Sequence, residues 1–346
     1  MYVVETVLKG HPDKMCDQFS DLLLDTYLHE DAFSRTAIEC LGTGDMIFLA
    51  GEVASSAQID AQEILKAYYQ EIGYDNNIKI FDHISLQSDQ LRQAVANGGA
   101  GDQGIVYGLA VNTCYNYLPM GYYVINRLAQ SIDILRTKTD FLLPDGKLFV
   151  IVDEESNIID KLSINIQHRR GVDIREIENV LSPCFAPENT GVAIKDIIIN
   201  KNSSFLQGGF KNDTGLTGRK IIVDTYGGLA PHGGGAFSGK DPTKIDRTGA
   251  YMARYVAKNI VANGLADSCE IAIAYEFGEK YPCCVEVKAQ EKGKRYNLLT
   301  LIKDKFDLRP QAIIELFDLR NFNYLQTATY GHFTNPQYPW EQIIEL

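Results

Sequence analysis

The chain has 346 residues, enough for two or three domains of ordinary size and a core that needs no covalent staples. With 45% hydrophobic and 23% charged residues it is globular in composition, which excludes wholesale disorder. A net charge of −12 argues against a sequence-independent binder of nucleic acid or of anionic membranes, so any phosphate site must be a local cationic cluster set against the global charge.

No apolar run approaches the ~18–20 residues that cross a bilayer. The N-terminal Met1-Tyr-Val-Val-Glu-Thr has neither a basic nor an apolar leader region and reads as no signal peptide. Seven cysteines, an odd count with no Cys-x-x-Cys, suggest reduced thiols in a cytoplasmic protein.

Residues 11–30 carry apolar positions at helical spacing (Met15, Phe19, Leu22, Leu23, Tyr27) after a turn at Gly10-His11-Pro12. Met46–Val53 reads as a strand, and Ala57–Ile72 as a helix ending near Gly73. Residues 87–102 are polar and glycine-rich, a long loop of the kind that is usually functional. Tyr117–Thr137 is helical after Pro119, and Leu148–Asp153 and Ile158–Gln167 form two strands about a turn at 154–157. Asp173–Leu181 is a short helix, and Ile197–Asn200 and Ile221–Asp224 are short buried strands. The pattern predicts a helix over Pro242–Asn263, with Asp241 as cap, Pro242 in its first position and Gly264 at its end. Glu270–Tyr275 and Val285–Val287 read as strands, Pro310–Leu316 as a helix, and Trp340 as a packing anchor for an irregular tail. Without a clean βαβ period, a layered α+β fold is expected. No internal repeat is visible in the residue identities.

Three segments carry chemistry. Gly215-Leu-Thr-Gly-Arg219-Lys220, Gly227-Gly228 and His232-Gly-Gly-Gly-Ala236-Phe-Ser-Gly-Lys240-Asp-Pro-Thr-Lys244-Ile-Asp246-Arg247 combine close backbone approach with five cations in 29 residues, which suits a polyphosphate. Gly234-x4-Gly239-Lys240 mimics a P-loop, but Asp241 replaces its hydroxyl residue and no strand directly precedes it, so the match reads as accidental. Gly10-His11-Pro12-Asp13-Lys14 sets an imidazole and a carboxylate at a helix start, where they can serve a leaving oxygen and Mg2+ or be ordinary capping. Gly98-Gly-Ala-Gly101-Asp102-Gln103-Gly104 is a tight turn with a central carboxylate. Asp145-Gly146-Lys147 reads as an exposed turn, and His168-Arg169-Arg170 as a surface basic patch.

Together, Gly10–Lys14, Gly99–Gly104, Gly215–Gly228, His232–Asp246 and Tyr330-Gly-His-Phe333 resemble the S-adenosylmethionine synthetase family over nearly the whole chain. Phe306–Pro310 and Pro339-Trp-Glu341 fit its C-terminal part. The resemblance implies three similar, intertwined α+β domains, divided here near 1–100, 101–219 and 220–346. It implies synthesis of S-adenosylmethionine from ATP and L-methionine, with cleavage of the released triphosphate. Mg2+ and K+ are the implied ions, and a homodimer or homotetramer with shared sites the implied assembly.

By position, His11, Lys147, Arg219, Lys240 and Lys244 would be catalytic. ATP would meet these first four together with Asp145, Phe205, Asp213, Lys220 and Ala236. Methionine would meet Glu52, Gln87, Asp102, Asp213 and Lys244. Asp13 and Asp246 resemble the Mg2+ ligands and Glu39 the K+ carboxylate. The chain departs from the family pattern at Gln87-Ser-Asp-Gln90, where Gln-Ser-Pro-Asp is usual, and in a short stretch from there to Gly99. Ser204 stands for an arginine, Lys9 for an acid, Phe210 for a proline and Asn212 for a glycine. These departures suggest a divergent member, the alternative being a relative with another acceptor or a regulatory paralogue.

Overall fold

The computed structural model describes residues 1–75, 77–88, 98–201, 204–291 and 297–346. The expected loop at 87–102 and the segment Asn200–Ser204 therefore lie partly outside the described residues.

Among the described residues the chain builds three antiparallel-rich sheets, each with a long helix on one face. The first sheet joins β2 (Arg35–Thr43), β3 (Met46–Ala54), β4 (Lys79–Leu86) and the two-residue β9 (Gly215–Leu216) in the order β4-β3-β2-β9. Helix α1 (Pro12–Glu30) packs on β2 and β9, and α2 (Ala61–Ile72) lies beside it. The second sheet has the order β1-β6-β7-β8, from β1 (Tyr2–Val7), β6 (Leu142–Asp153), β7 (Ile158–His168) and β8 (Ile194–Ile199). It carries α3 (Met120–Arg136). The third sheet, β11-β10-β5, pairs β5 (Gly104–Val111) with β10 (Ala266–Tyr275) and β11 (Cys284–Glu291). Its helix is α7 (Ile245–Ala262).

Short helices α4 (Ile174–Leu181), α5 (Pro187–Thr190), α6 (Ile221–Asp224), α8 (Leu298–Lys305) and α9 (Pro310–Leu316) fill the connections. The repeat hidden in the residue identities is thus a repeat of layers, one long helix on one sheet, three times over. The layers interlock because β1, β5 and β9 each pair with strands from a distant part of the chain.

Local chemistry explains most boundaries. His11 caps α1 by accepting the Asp13 N–H on Nδ1, and Pro12 occupies the first turn. Gly73 ends α2 in the left-handed region at φ 117°, as its glycine predicts. Around α1 and α2 a core of Met15, Phe19, Leu23, Ile38, Leu49 and Tyr69 closes on the first sheet. Phe210 belongs to this core: it stacks on Tyr69 with ring centroids 5.9 Å apart and lies over Gly42, where a Cβ would come within 2.2 Å of its ring. That departure from the family pattern is thus absorbed by packing. Helix α7 sits against β5 because Gly108 lets the Ala253 carbonyl approach. In the tail, Trp340 stacks on Tyr251 at 3.7 Å and donates to the His332 carbonyl.

Four expectations are corrected. Ile221–Asp224 is a helical turn, not a strand, because it bridges two tight glycine turns rather than running beside a partner. Helix α7 starts at Ile245 with Lys244 as cap; Asp241 instead accepts from Thr36 N and Thr243 N, tying the preceding loop to β2. Asp145-Gly146 is buried inside β6 rather than an exposed turn. His168 is buried, its Nδ1 beside the Arg169 carbonyl, while the two arginines that follow are exposed.

All seven cysteines are free. Among the described residues, no helix is long and apolar enough to cross a membrane.

Candidate functional site

The first group of site residues gathers at the start of α1. Asp13 is buried; its carboxylate accepts the Leu216 N–H at 3.0 Å and the Lys220 ammonium at 2.6 Å, with Arg219 Nε at 3.5 Å. Burial opposes ionisation of Asp13, but the Lys220 hydrogen bond and the Leu216 N–H outweigh it and hold the carboxyl below its ordinary range. Gly215 allows this approach, since a Cβ there would meet the Pro12 carbonyl at 2.2 Å.

Lys147, on β6, pairs with Glu5 at 2.8 Å and adds its charge to that of Lys220 at His11. Asp145, two residues earlier, accepts the Gly209 N–H at 2.9 Å, and burial raises its pKa to about 6. Asp213 is exposed and accepts the Thr214 N–H, and its charge is felt at both His11 and Asp145. Phe205 is half-buried, its carbonyl accepting from His168 N.

Burial and the charges of Lys220 and Lys147 lower the His11 pKa to about 4, against the opposing pull of Asp13. With Nδ1 accepting from Asp13 N, the neutral ring carries its proton on Nε2, ready to donate. A histidine kept neutral in the fold contributes stability that is complete above its unfolded pKa of ~6.5 and is lost as pH falls from there to about 4. The expected loss is on the order of 2 kcal/mol of unfolding free energy without ligand. His11→Asn keeps a cap and should show a smaller loss across that window in urea titrations at pH 7 and pH 4.5. Equal losses in both proteins would contradict the assignment.

The second group surrounds the start of α7. Lys240 donates to Asp246 at 2.6 Å and Lys244 to Asp241 at 3.1 Å. Asp246 rests in a cradle made by Gly235, where a Cβ would lie 2.2 Å from its carboxyl carbon. Ala236 touches Gly218 of the first segment. Lys240 bridges to Ala37 on β2, which faces Glu52 across the β2–β3 ladder. Glu52 accepts from Gln87 Nε2 at 3.2 Å, and the Gln87 Oε1 is buried with no hydrogen-bond partner. Asp102 is exposed, two residues before Gly104, which lies against Asp246. Glu39 is exposed and sits opposite Ala50, on the same face as Ala37 and Glu52.

Two features escape the linear reading. Arg247, counted from its position among the phosphate cations, is fully buried and held by both oxygens of Asp21 at 2.7 and 2.8 Å. The other is a stripe of aspartates on α1 at positions 13, 17, 21 and 25, one helical turn apart. Each accepts backbone N–H groups from the distant chain: Leu216, Gly218, Gly239, and Tyr324 with Leu325. The i, i+4 spacing was the available signal. One helix therefore carries both glycine-rich segments.

Two sets of cations on glycine-rich backbone, each with a carboxylate among them, define an enzyme that handles a polyphosphate. Three family models cover the chain: S-adenosylmethionine synthetase N-terminal domain over residues 1–93, central domain over 97–205 and C-terminal domain over 207–342. The chain is 38% identical to a Clostridium botulinum S-adenosylmethionine synthase, covering all of this chain and 97% of that protein. It is 39% identical to one from Salinibacter ruber (100% and 96% covered) and 37% to one from Staphylococcus epidermidis (99% and 95%). The chain belongs to the S-adenosylmethionine synthetase family.

Proposed function

We propose that the chain carries out its family's reaction, joining ATP and L-methionine to make S-adenosylmethionine. The methionine sulfur attacks C5′ of the ribose, the C5′–O bond breaks, and the triphosphate leaves with the bonding pair. Water then cleaves the triphosphate to diphosphate and phosphate. Sulfur needs no general base, so the work of the residues is to meet negative charge on the leaving group.

The observation that carries this reading is the placement of Lys220, Arg219, Lys147, Lys240 and Lys244 around glycine-rich backbone in a chain of net charge −12. His11 Nε2 donates to the bridging oxygen as it departs. Phe205 stacks near adenine, Ala236 lines the nucleotide pocket, and Asp145 and Asp213 complete the nucleotide contacts. Glu52 and Gln87 receive the methionine ammonium; the unpartnered Gln87 Oε1 beside a carboxylate suits three N–H donors. Asp102 and Asp213 complete the methionine contacts and Lys244 holds its carboxylate.

Asp13 and Asp246 would hold Mg2+, each supplying one carboxylate, and the missing side chain at Gly235 is what lets the Asp246 carboxylate sit where it does. A Mg2+ held by these carboxylates would help neutralise negative charge developing on the triphosphate. Glu39 would hold K+ at the exposed face of β2.

We further propose a homodimer in a reducing cytoplasm, closed through the exposed face of the first sheet. Phe48 and Phe81 stack there at 5.0 Å while remaining 39% and 48% exposed, beside Leu41, Ala37 and Ala50. This stacked, half-exposed aromatic pair beside Leu41 is apolar surface that a partner chain would cover. Glu39, Glu52 and the Lys240 bridge lie at this same face, so closing the dimer here would bring the second group of each chain against its partner. The domain boundaries near residues 100 and 219 remain our proposed divisions, with β1, β5 and β9 reaching into neighbouring sheets.

Complementation tests the shared site. His11→Ala and Lys240→Ala are each expected to be nearly inactive. After subunit exchange the mixed dimer regains one intact site, and turnover returns to roughly a quarter of wild type. Two inactive variants that stay inactive when mixed, with exchange verified by native mass spectrometry, would place each site within one chain.

A further inference from the structure

We propose that Asp21 and Arg247 form a positioning pair that sets Lys240 in its catalytic place; this rests on the function proposed above. Neither residue touches the substrate region, for both side chains are fully buried. Asp21 Oδ1 accepts the Gly239 N–H at 2.9 Å and Arg247 Nη1 at 2.7 Å, and Oδ2 accepts Arg247 Nη2 at 2.8 Å. Arg247 Nη1 also donates to the carbonyls of Phe237 at 3.0 Å and Lys240 at 3.2 Å. The pair therefore grips the loop at three backbone groups, before, beside and at Lys240.

The remaining guanidinium hydrogens go to Thr327 Oγ1 and the Tyr251 hydroxyl, and the Tyr324 ring lies under the guanidinium carbon at 4.2 Å. On its other side the loop is strapped to β2. Gly239 holds φ +79° with its Cα facing the Ile38 carbonyl so closely that a Cβ would lie 2.0 Å from the oxygen, and Thr36 Oγ1 donates to the Gly239 carbonyl. Lys240 thus leaves a backbone fixed on both sides, with its ammonium on Asp246.

A buried ion pair is weak as a source of stability, because desolvation offsets much of its attraction. Its geometric content is what an apolar pair could not supply: a planar fork held on both oxygens of Asp21, one arm of which, Nη1, also reads two carbonyls, and a carboxylate reading the N–H between them. Misplacing a group that meets transition-state charge by about 1 Å costs on the order of a hundredfold in rate.

The test is a double-mutant cycle between Arg247→Lys and Lys240→Ala in the full-length protein, reading kcat, KM for methionine and thermal melting. Lysine keeps a charge for Asp21 but has no second nitrogen to make the two-pronged pair with it while also serving the two carbonyls. Arg247→Lys is expected to melt as a folded protein and to lose about a hundredfold in kcat, with KM for methionine within about threefold. On the Lys240→Ala background the same change should cost less than about threefold. Where turnover of the double variant is too slow to read, ATP affinity by calorimetry closes the cycle in the same way.

If Arg247→Lys does not fold, Asp21→Asn replaces it, keeping an acceptor for Gly239. Full additivity, near-wild-type turnover of the folded variant, or failure of both variants to fold would overturn the proposal and assign the pair to the core. Wild-type turnover in Lys240→Ala itself would instead overturn the functional reading beneath it.

Discussion

Lys240→Ala is expected to lower kcat by about two to three orders of magnitude while leaving the melting temperature nearly unchanged. The Lys240 side chain is 24% exposed and that of its partner Asp246 16%, so the carboxylate left behind keeps some access to water and the folding cost stays small beside the rate loss. The rate is a different matter. A fixed positive charge that meets a departing triphosphate contributes several kcal/mol, because it is already oriented when the charge develops. The variant keeps its glycine turn and its neighbours, so the loss should fall on the chemical step, not on assembly. Lys195, 57% exposed and paired with Asp160, is the control, and Lys195→Ala should stay within about twofold of wild type. Single-turnover rates separate the two. Wild-type-like turnover in Lys240→Ala would remove the residue from the site.

The largest stability effect is expected at Glu341. This carboxylate is fully buried and receives Arg254 Nε at 2.8 Å, Arg254 Nη2 at 3.0 Å, Lys258 Nζ at 2.8 Å and Asn116 Nδ2 at 3.0 Å. It ties the tail to the middle of α7 and to the turn before α3. Arg254 is also shared with the carbonyls of Leu109, Asn116 and Tyr117, so it cannot swing out to water when its partner is lost. Glu341→Ala leaves a buried guanidinium and a buried ammonium uncompensated, for a loss of about 3–5 kcal/mol. Urea unfolding should show it as a lower midpoint. Glu341→Gln, which keeps one acceptor oxygen, should lose less. A change in Glu341→Ala below about 1 kcal/mol would mean that water reaches the cations in the folded tail.

How far such a site is legible in a sequence depends on what kind of interaction builds it. Helices with apolar periodicity and caps, α1, α2 and α3, follow from the residues because local physics decides them. The glycine-rich cation segments are legible for the same reason: glycines and cations that coincide at a helix start in an acidic chain suit a polyphosphate. The strands β1, β4 and β5 are not legible, since each is paired by a strand from elsewhere in the chain; β1 is short, β4 is partly polar, and β5 is apolar along its length with two glycines and no alternation to mark it. Asp145 shows the error most plainly. Asp-Gly is a turn signal in isolation, yet here it lies within β6 where the β6–β7 register shifts between Leu142 and Gly146, with the Asp145 carboxylate buried against the Gly209 N–H and Gly146 leaving room for Leu8. Arg247 fails similarly, because in the first turn of α7 it faces inward to Asp21, while Lys244, the extended cap residue outside the helix, reaches back to Asp241 in the loop. The aspartate stripe on α1 is visible as spacing, but its meaning lies in backbone N–H groups about 200 to 300 residues away.

The central claim is that this chain makes S-adenosylmethionine by displacing the whole triphosphate of ATP. The most direct measurement mixes the purified protein with ATP, L-methionine, Mg2+ and K+ and follows products by mass spectrometry and ion chromatography. S-adenosylmethionine, diphosphate and phosphate in equal amounts is the expected result. Phosphate released without S-adenosylmethionine, or bound ATP with no product, would contradict it.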